Sequence, residues 1–329
     1  MENNNSAKMM NNTDSESFFI AQVLPPLYII IFIVGICLNA VAAWIFFRVP
    51  ADSGLVVYLK NMVVADLLML FSIPFRVANY FGFNSWYLEM IKCRYTAVLF
   101  YFSMYVGIFF IGLISLERYV KVVYLAPSSS TITSSCATFV LAVLTWSLLF
   151  LCCSPNSILT NWPANSHNFT KCIQLKTPLG KQWHQATSLF TWSLFWLTLI
   201  VVAFSYTFIA RQVYKTYRCM RRDSREVYRN SNRNIFSILG VFCICFVPFH
   251  VCRIPYTMSQ VSPKHFSQDS KFWLHQIKEG TLFLSAMNVC LDPLVYFLMC
   301  GTFRKSLIRK LSGRKKRKPL STDLSLSKM

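Results

Sequence analysis

Seven long apolar runs constrain the fold of this 329-residue chain more than any other feature of its sequence. A helix that crosses a membrane needs about 20 predominantly apolar residues, and each run reaches that length. We number the runs as spans one to seven; they cover residues 23–47, 55–78, 95–116, 136–159, 186–210, 235–258 and 272–299. A transmembrane β-barrel would show short alternating segments instead. The sequence therefore predicts an all-α integral membrane protein, a seven-transmembrane helix bundle.

The distribution of charge predicts how the bundle lies in the membrane. Only 14% of the residues are charged, and 33 Lys and Arg against 13 Asp and Glu give a net charge of +20. The excess concentrates between spans five and six and after span seven. Basic residues favour cytoplasmic loops, so these segments are predicted to be cytoplasmic and the N-terminus extracellular. We interpret the excess as attraction to membrane lipids and docking of a partner, not as nucleic-acid binding.

The segments outside the spans carry two further signals. Acceptor tripeptides for N-glycosylation begin at Asn4, Asn11 and Asn168, all on the predicted outer side. After span seven, apolar residues alternate with basic ones over residues 302–311, which predicts a short amphipathic eighth helix on the inner membrane surface. The chain then divides into an extracellular N-terminus (1–22), a transmembrane domain (23–300) and a cytoplasmic tail (301–329). We expect a multi-pass protein of the plasma membrane.

Polar side chains inside the spans mark the candidate functional site, because they are costly in lipid. Spans three, six and seven carry such residues at helical spacing, so that each set shares one face. They are Tyr101 and Tyr105; His250, Arg253, Thr257 and Gln260 with Tyr256 beside them; and Lys278, Thr281, Ser285, Asn288 and Asp292. For each Thr or Ser, an interhelical hydrogen bond is an equally good account. Arg253 and Lys278 on faces that share a cavity would repel each other unless an anion or a carboxylate lies between them.

Two other patterns bear on chemistry. Among 12 cysteines, Cys93 and Cys172 lie in oxidising surroundings under this topology, so we predict a disulfide bond between them. The sequence carries no nucleophile–base constellation, no metal-ligand spacing and no Gly-rich phosphate loop. It therefore predicts a protein that is not an enzyme and needs no cofactor.

A series of motifs falls on the spans in an order that resembles the rhodopsin-like G protein-coupled receptors over nearly the whole chain. These are Asn39, Val64-Ala65-Asp66, Cys93, Glu117-Arg118-Tyr119, Trp146, Tyr206, Phe246-Val247-Pro248 and Asp292-Pro293-Leu294-Val295-Tyr296. Within that family the chain is similar to purinergic nucleotide receptors, in the branch of the ADP and UDP-glucose receptors and a close orphan. Residues 245–260, 98–105, 278–282 and 172–184 carry the narrower resemblance. Phe246 and Thr198, where most of the wider family has Trp and Pro, are shared by this branch.

The resemblance implies a receptor whose extracellular ligand lies between spans three, six and seven, beneath the second outer loop. Arg253 and Lys278 would bind its phosphates, and Tyr101 and Tyr105 would present rings and hydroxyls to a base or ribose. The other candidates at this site are Lys176 and His184 at the rim, with His250, Tyr256, Gln260 and Glu279. Glu279 is also a competing partner for Arg253, in a purely structural latch.

At the cytoplasmic side the resemblance implies a switch that admits the C-terminal helix of a Gα subunit, in an inhibitory (Gi-type) heterotrimer. The switch residues are Glu117, Arg118, Tyr119, Tyr206, Phe246, Asp292, Pro293 and Tyr296. Arrestin is a further candidate partner. A candidate sodium site is formed by Asp66, Asn288 and Asp292. We expect it to bind sodium weakly, because Gly107 stands where relatives often have a Ser that belongs to this site.

Three interpretations of the ligand stay open from the sequence. The first is a nucleotide or nucleotide-sugar. The second is a lysophospholipid or another anionic lipid on the same scaffold, because Arg and Lys bind any phosphate. The third is an orphan receptor with basal activity.

Overall fold

The computed structural model describes residues 18–48, 53–81, 86–124, 135–161, 172–219, 225–261 and 265–311. Within these ranges, seven helices are long and apolar enough to cross a membrane. They are Phe19–Phe46, Gly54–Ala78, Tyr87–Val123, Cys136–Ile158, Pro178–Lys215, Ile238–Val261 and Gln268–Met299. The seven predicted spans are thus confirmed. The glycosylation acceptors Asn4, Asn11 and Asn168 lie outside the described residues.

Regular helices account for nearly all of the described backbone. The α-helices are Leu24–Phe46, Gly54–Tyr80, Trp86–Ile91, Ala97–Tyr119, Ser135–Cys153, Pro155–Ile158, Pro178–Cys219, Arg225–Val261, Gln268–Ala286, Asn288–Met299 and Gly301–Leu311. Three π-helical segments adjoin spans one and three, at Phe19–Val23, Lys92–Thr96 and Val120–Tyr124. One 3₁₀ turn, Cys172–Leu175, precedes span five.

Span five begins earlier than the apolar pattern predicts. The hydropathy of the sequence places its start near residue 186, whereas the helix starts at Pro178. The Thr177 hydroxyl accepts a hydrogen bond from the backbone N–H of Gly180 at 2.9 Å, and Pro is favoured in the first helical turn. Capping chemistry, which is independent of hydropathy, therefore sets this boundary.

Span seven contains an irregularity that a side chain of span one compensates. Pro293 has no N–H, so it leaves the carbonyl of Val289 without its helical donor. The side-chain amide of Asn39 donates to that carbonyl at 2.6 Å and to the carbonyl of Gly35 at 3.0 Å. The helix is also interrupted at Met287, between Ala286 and Asn288. Asn39 thus joins spans one and seven at the proline.

The interior of the bundle is filled mainly by aromatic rings, and its outside is apolar. The largest fully buried side chains are Tyr28, Tyr105, Tyr296, Phe46, Phe100, Phe110, Phe195, Phe242, Phe246, Phe249, Leu24 and Leu59. Many large apolar side chains face outward as well, among them Ile33, Leu144, Phe150 and Ile200. A water-soluble protein rarely exposes such continuous apolar surface. The outward faces of these helices suit a lipid environment.

The predicted eighth helix is present as Gly301–Leu311. Phe303 is 3% exposed and stacks on Phe46 of span one at a centroid distance of 5.0 Å. Arg304, Arg309 and the apolar Ile308 are exposed. One ring therefore anchors the helix to the bundle, while its remaining surface combines basic and apolar groups as an interfacial helix does.

Candidate functional site

Arg253, in the outer half of span six, lies inside the bundle beside two aromatic rings. Its guanidinium carbon is 4.7 Å from the ring centroid of Tyr101 and 5.3 Å from that of Phe249. One terminal nitrogen donates to the Ser188 hydroxyl of span five at 3.3 Å, and Nε has no hydrogen-bond partner among the described residues. No carboxylate of the described residues lies within 4.0 Å of this cation. Within the described part of the chain, therefore, no carboxylate neutralises the charge of Arg253.

Lys278, at the outer end of span seven, is neutralised in contrast. Its ammonium is 2.5 Å from one oxygen of Glu279, and the other oxygen of that carboxylate is 3.2 Å from the guanidinium of Arg76 in span two. The Glu279 side chain is only 8% exposed. One carboxylate therefore serves two cations, and the three side chains tie span two to span seven. The latch between Arg253 and Glu279, which the sequence left open, does not form in this structure.

Arg76 is the functional candidate that sequence reasoning missed. Its guanidinium carbon lies 5.0 Å from the Phe100 ring centroid and 5.7 Å from that of Tyr28. Its charge within an apolar span, which also contains Lys60 and Asp66, was a signal that could have found it, because such charges are costly in lipid. Arg76 and Lys278 thus share the Glu279 carboxylate, and Arg253 is a third cation in the same half of the bundle, outside that ion-pair cluster.

Tyr101 and Tyr256 lie close to these cations, as the spacing predicted. Tyr101 stacks on Phe249 at a centroid distance of 6.0 Å, so its ring contacts both Arg253 and span six. The Lys278 ammonium is 5.4 Å from the Tyr256 ring centroid, and that ring stacks on His275 at 6.2 Å. Gln260 lies further out on span six and is half-buried. The polar faces of spans three, six and seven thus do meet.

His250 lies beneath these groups and packs between aromatic rings. Its ring stacks on Phe195 of span five at 3.7 Å and meets Tyr105 of span three edge-on at 5.6 Å. Nδ1 is 2.7 Å from the carbonyl oxygen of Phe246 and must donate to it, since a carbonyl only accepts. The tautomer assigned in this way leaves Nε2 as an acceptor, which is buried without a partner among the described residues. The Tyr105 hydroxyl is likewise buried without a hydrogen-bond partner among the described residues.

The second outer loop is fastened over the site from two sides. Cys93 and Cys172 form a disulfide bond, as predicted. The Lys176 ammonium donates to the backbone carbonyl and side-chain carbonyl of Asn156, both at 3.1 Å. Burial lowers the pKa of Lys176 to about 8. Lys176 therefore anchors the loop to the end of span four, whereas His184 lies one turn above Ser188 on span five and faces the same way.

At the other end of the bundle, Arg118 and Glu117 contact different partners. Arg118 donates to the backbone carbonyl of Met299, at the end of span seven, at 2.5 Å. Glu117 instead forms an ion pair with Lys121, one turn away, at 2.5 Å. Its carboxylate also packs closely on Gly54 of span two, since a Cβ added at Gly54 would lie 2.8 Å from the carboxylate oxygen of Glu117. Span three thus touches the start of span two and the end of span seven through two adjacent side chains of opposite charge.

Of the remaining candidates for the inner switch, Tyr206, Phe246 and Pro293 are buried and Tyr119 is partly buried. Tyr206 and Phe246 are at most 2% exposed, and the Tyr206 hydroxyl has no partner among the described residues. Tyr119 packs edge-on against Phe204 and Phe208 of span five, at centroid distances of 5.7 and 5.9 Å. Pro293 lies within span seven, where the helix lacks one backbone donor.

Comparisons with known proteins agree with this architecture. The family profile described as 7 transmembrane receptor (rhodopsin family) matches residues 17–296. This chain belongs to the rhodopsin family of receptors. It is 44% identical to purinoceptor 14 of Bos taurus over 297 residues, which cover 90% of this chain and 88% of the relative. It is 37% identical to purinoceptor 13 of Homo sapiens, over 89% and 82% of the two chains. G-protein coupled receptor 87 of Mus musculus is 42% identical, over 92% and 84%.

The receptor therefore belongs to the purinoceptor group within that family, as the motifs predicted. Membership makes it a multi-pass protein of the plasma membrane that couples to a G protein and responds to an extracellular small molecule. The group is not enzymatic, which agrees with the prediction from the sequence. The outer cluster of cations and the inner contacts of Arg118 consequently lie at the two ends of one signalling bundle.

The three residues of the predicted sodium site, Asp66, Asn288 and Asp292, are all buried in the bundle. Asn288 Oδ1 and Asp292 Oδ2 are buried oxygens that lack a hydrogen-bond partner among the described residues. One oxygen of Asp66 accepts from the Tyr296 hydroxyl at 2.6 Å. Oxygen ligands of this kind suit a hard cation. Gly107 contributes no hydroxyl, so the set of side-chain ligands is small.

Proposed function

We propose that the receptor binds an extracellular nucleotide or nucleotide-sugar and signals through inhibitory G proteins. The observation that carries this proposal is Arg253, a cation inside the bundle that no carboxylate of the described residues neutralises. A buried charge without a counter-ion is costly. A bound phosphate removes that cost and accepts two parallel hydrogen bonds from the planar guanidinium.

The ring faces beside Arg253 favour a ligand that carries a base as well as phosphate. Tyr101 and Tyr105 present aromatic surface on span three, and the Tyr105 hydroxyl and His250 Nε2 are buried polar atoms without described partners. A base or sugar that reaches these residues stacks on the rings and supplies hydrogen bonds to those atoms. In this arrangement His184 closes the rim from span five, and Lys176 acts by holding the loop in place.

Lys278 contributes differently from Arg253, because Glu279 already neutralises it. A phosphate that approaches Lys278 competes with this carboxylate at 2.5 Å and is repelled by it. Arg76 and Lys278 therefore accept an anion only when Glu279 turns away or binds a hydroxyl of the ligand. A sugar hydroxyl next to the phosphates meets this requirement, since a carboxylate accepts hydrogen bonds from it. Tyr256 and Gln260 complete this side of the site.

The proposal includes the orientation and division of the chain. Residues 1–22 lie outside the cell with glycans on Asn4 and Asn11, and Asn168 carries a third in the second outer loop. Residues 23–300 form the transmembrane domain, and residues 301–329 lie in the cytoplasm, where they contact lipid and, after activation, arrestin. The excess of Lys and Arg between spans five and six and in the tail supports this orientation.

Ligand binding is proposed to act by a population shift toward the state that admits Gα. Arg118 leaves the Met299 carbonyl in that state, and its guanidinium becomes available to the Gα C-terminus beside Tyr206. Tyr119, Phe246, Pro293 and Tyr296, which pack in the same half, repack as span six moves. Only a ligand with higher affinity for the open state drives this change.

A cellular assay of cAMP tests the proposal directly. Cells that express the receptor are treated with forskolin and then with nucleoside diphosphates, UDP-sugars and lysophospholipids at matched concentrations. We expect a UDP-sugar or nucleotide to lower cAMP and pertussis toxin to abolish the response. Arg118→Ala should abolish signalling while labelled agonist still binds. A response to lysophospholipids alone would refute the nucleotide assignment, and a toxin-insensitive response would refute the Gi assignment.

Sodium is proposed to bind weakly among Asp66, Asn288 and Asp292 and to favour the resting state. If its Kd is close to the extracellular sodium concentration, replacing sodium by N-methylglucamine raises agonist potency about twofold. Asp66→Asn should remove this dependence. Equal potency in both media for the unmodified receptor would contradict sodium binding.

A further inference from the structure

A groove of about 430 Å³ lies between the outer ends of spans six and seven. Its walls are formed mainly by Pro255 of span six and by Phe266, Asp269, Trp273, Leu274 and Ile277. Trp273 is 55% exposed and Ile277 47%. These two residues are one helical turn apart and share a face, whereas Glu279 points to the opposite side and is buried. The groove therefore lies on the outside of the bundle, separate from the site around Arg253.

The polarity of the groove changes along its length. Asp269, in the first turn of span seven, is exposed at one end, and the apolar Leu274 and Ile277 line the other. At a rise of 1.5 Å per residue, Asp269 and Ile277 are about 12 Å apart along the helix axis. The headgroup layer of one leaflet is roughly 5–7 Å thick. A groove that opens at the headgroups thus reaches the acyl chains, which matches the shape of an amphiphile.

The polar end of the groove favours a cationic headgroup. Asp269 has no ion-pair partner within 4.0 Å among the described residues, and aromatic side chains flank it at Phe266 and Trp273. A quaternary ammonium is recognised by ring faces and negative charge and donates no hydrogen bonds. A primary ammonium would need three acceptors, and this end offers few. An anionic headgroup would be repelled by Asp269.

We propose that this groove binds a choline-headed phospholipid of the outer leaflet. Its trimethylammonium lies against Asp269, Phe266 and Trp273, and one acyl chain follows Leu274 and Ile277 toward Pro255. This site is additional to the proposed nucleotide site and requires only that span seven begins on the outer side of the membrane. A bound lipid joins the outer ends of spans six and seven, the two helices that carry Arg253 and Lys278.

Photolabelling of the full-length receptor in nanodiscs tests the proposal. Two probes carry the same diazirine-bearing acyl chain, one on phosphatidylcholine and one on phosphatidylglycerol. Trypsin cuts after Lys271 and Lys278, so labelling of residues 272–278 is measured on one peptide that Asp269 variants leave unchanged. We expect the choline probe to label this peptide about five- to tenfold more than the glycerol probe, and both to label the outward face of span four equally.

Two variants separate recognition of the headgroup from general lipid contact. Asp269→Asn should reduce the ratio of the two probes to about one, and Asp269→Glu should preserve it. Asp269 also complements the helix dipole in its first turn, so the thermal midpoint of each variant is measured as a check on folding. Equal labelling by both probes in the unmodified receptor, or an unchanged ratio in a folded Asp269→Asn variant, would overturn the proposal. Neither result depends on agonist response, so the nucleotide proposal is tested separately.

Discussion

Replacing Arg253 by Ala is the perturbation that tests the proposed anion site most sharply. The change removes one hydrogen bond, to Ser188 at 3.3 Å, and two cation–π contacts, to Tyr101 and Phe249. It breaks no ion pair among the described residues. Loss of the ring contacts costs about 0.5–1 kcal/mol each, and removal of an uncompensated charge from the interior offsets part of this. The stability of the receptor should change by about 1 kcal/mol or less.

The loss of ligand affinity should be considerably larger. A bidentate contact of a guanidinium with phosphate contributes about 2–3 kcal/mol, which corresponds to a roughly 30- to 150-fold loss of potency. Arg253→Lys retains the charge but cannot bind two oxygens with one planar group. It should therefore weaken potency by about five- to tenfold, between the unmodified receptor and the Ala variant.

The assay is agonist potency in cells, corrected for receptor number at the surface, for every phosphate-bearing agonist that activates the unmodified receptor. Arg48→Ala is a matched control, because Arg48 also lies over a ring, 4.6 Å from that of Trp44, but at the end of span one. Its potency should stay within about twofold of the unmodified receptor, as expected for a residue outside the site. Unchanged potency of Arg253→Ala for all these agonists would refute the anion-site reasoning.

Three further predictions concern stability and are read from thermal midpoints of purified receptor. Replacing Cys93 and Cys172 by Ser removes a crosslink between residues 79 apart in sequence, which stabilises the fold by about 4 kcal/mol through chain entropy. An unchanged thermal midpoint would contradict a stabilising role for this disulfide bond. Glu279→Gln removes the carboxylate that Arg76 and Lys278 share and should cost about 3–5 kcal/mol. Adding Arg76→Gln should recover part of this, and no recovery would argue against shared pairing. The pKa of Lys176 is lowered to about 8 in the folded receptor and is near 10.4 in an unfolded chain. Between these pH values the unfolded state binds more protons than the folded state. The free energy of unfolding should therefore rise with pH over this range, by up to about 3 kcal/mol. Lys176→Met should lack that rise, and the same pH profile in both proteins would exclude it.

The helices of this receptor were predictable from the sequence because apolar length is a property of the chain alone. Seven runs of sufficient length predicted seven spans, and the alternation of Phe303, Ile308 and their basic neighbours predicted the eighth helix. The start of span five was not predictable from hydropathy, since polar residues follow Pro178. There, the hydrogen bond of Thr177 to the backbone decides the boundary.

The sequence predicted which faces of spans three, six and seven meet, but it missed Arg76 and the pairing of the charges. Spacing placed Tyr101, Arg253 and Lys278 on inward faces, and the structure brings these faces together. Which cation Glu279 neutralises depends on the rotation of spans two and seven relative to each other, and no local pattern records it. The target of Arg118 is a backbone carbonyl, which carries no signature in the residue types. Contacts to backbone and contacts between distant helices are therefore what sequence reasoning lacked.

Span five is the longest helix in the described part of the chain, and it packs against spans three and six. The helix Pro178–Cys219 runs for 42 residues without an internal proline, about 63 Å at the usual rise, which exceeds the full thickness of a bilayer. Spans two, six and seven each contain an internal proline, at Pro74, Pro248 and Pro255, and Pro293, where helices bend. We therefore expect span five to bend less than span six when the receptor changes state, so that Ser188 and Tyr206, which lie on this one helix, move together.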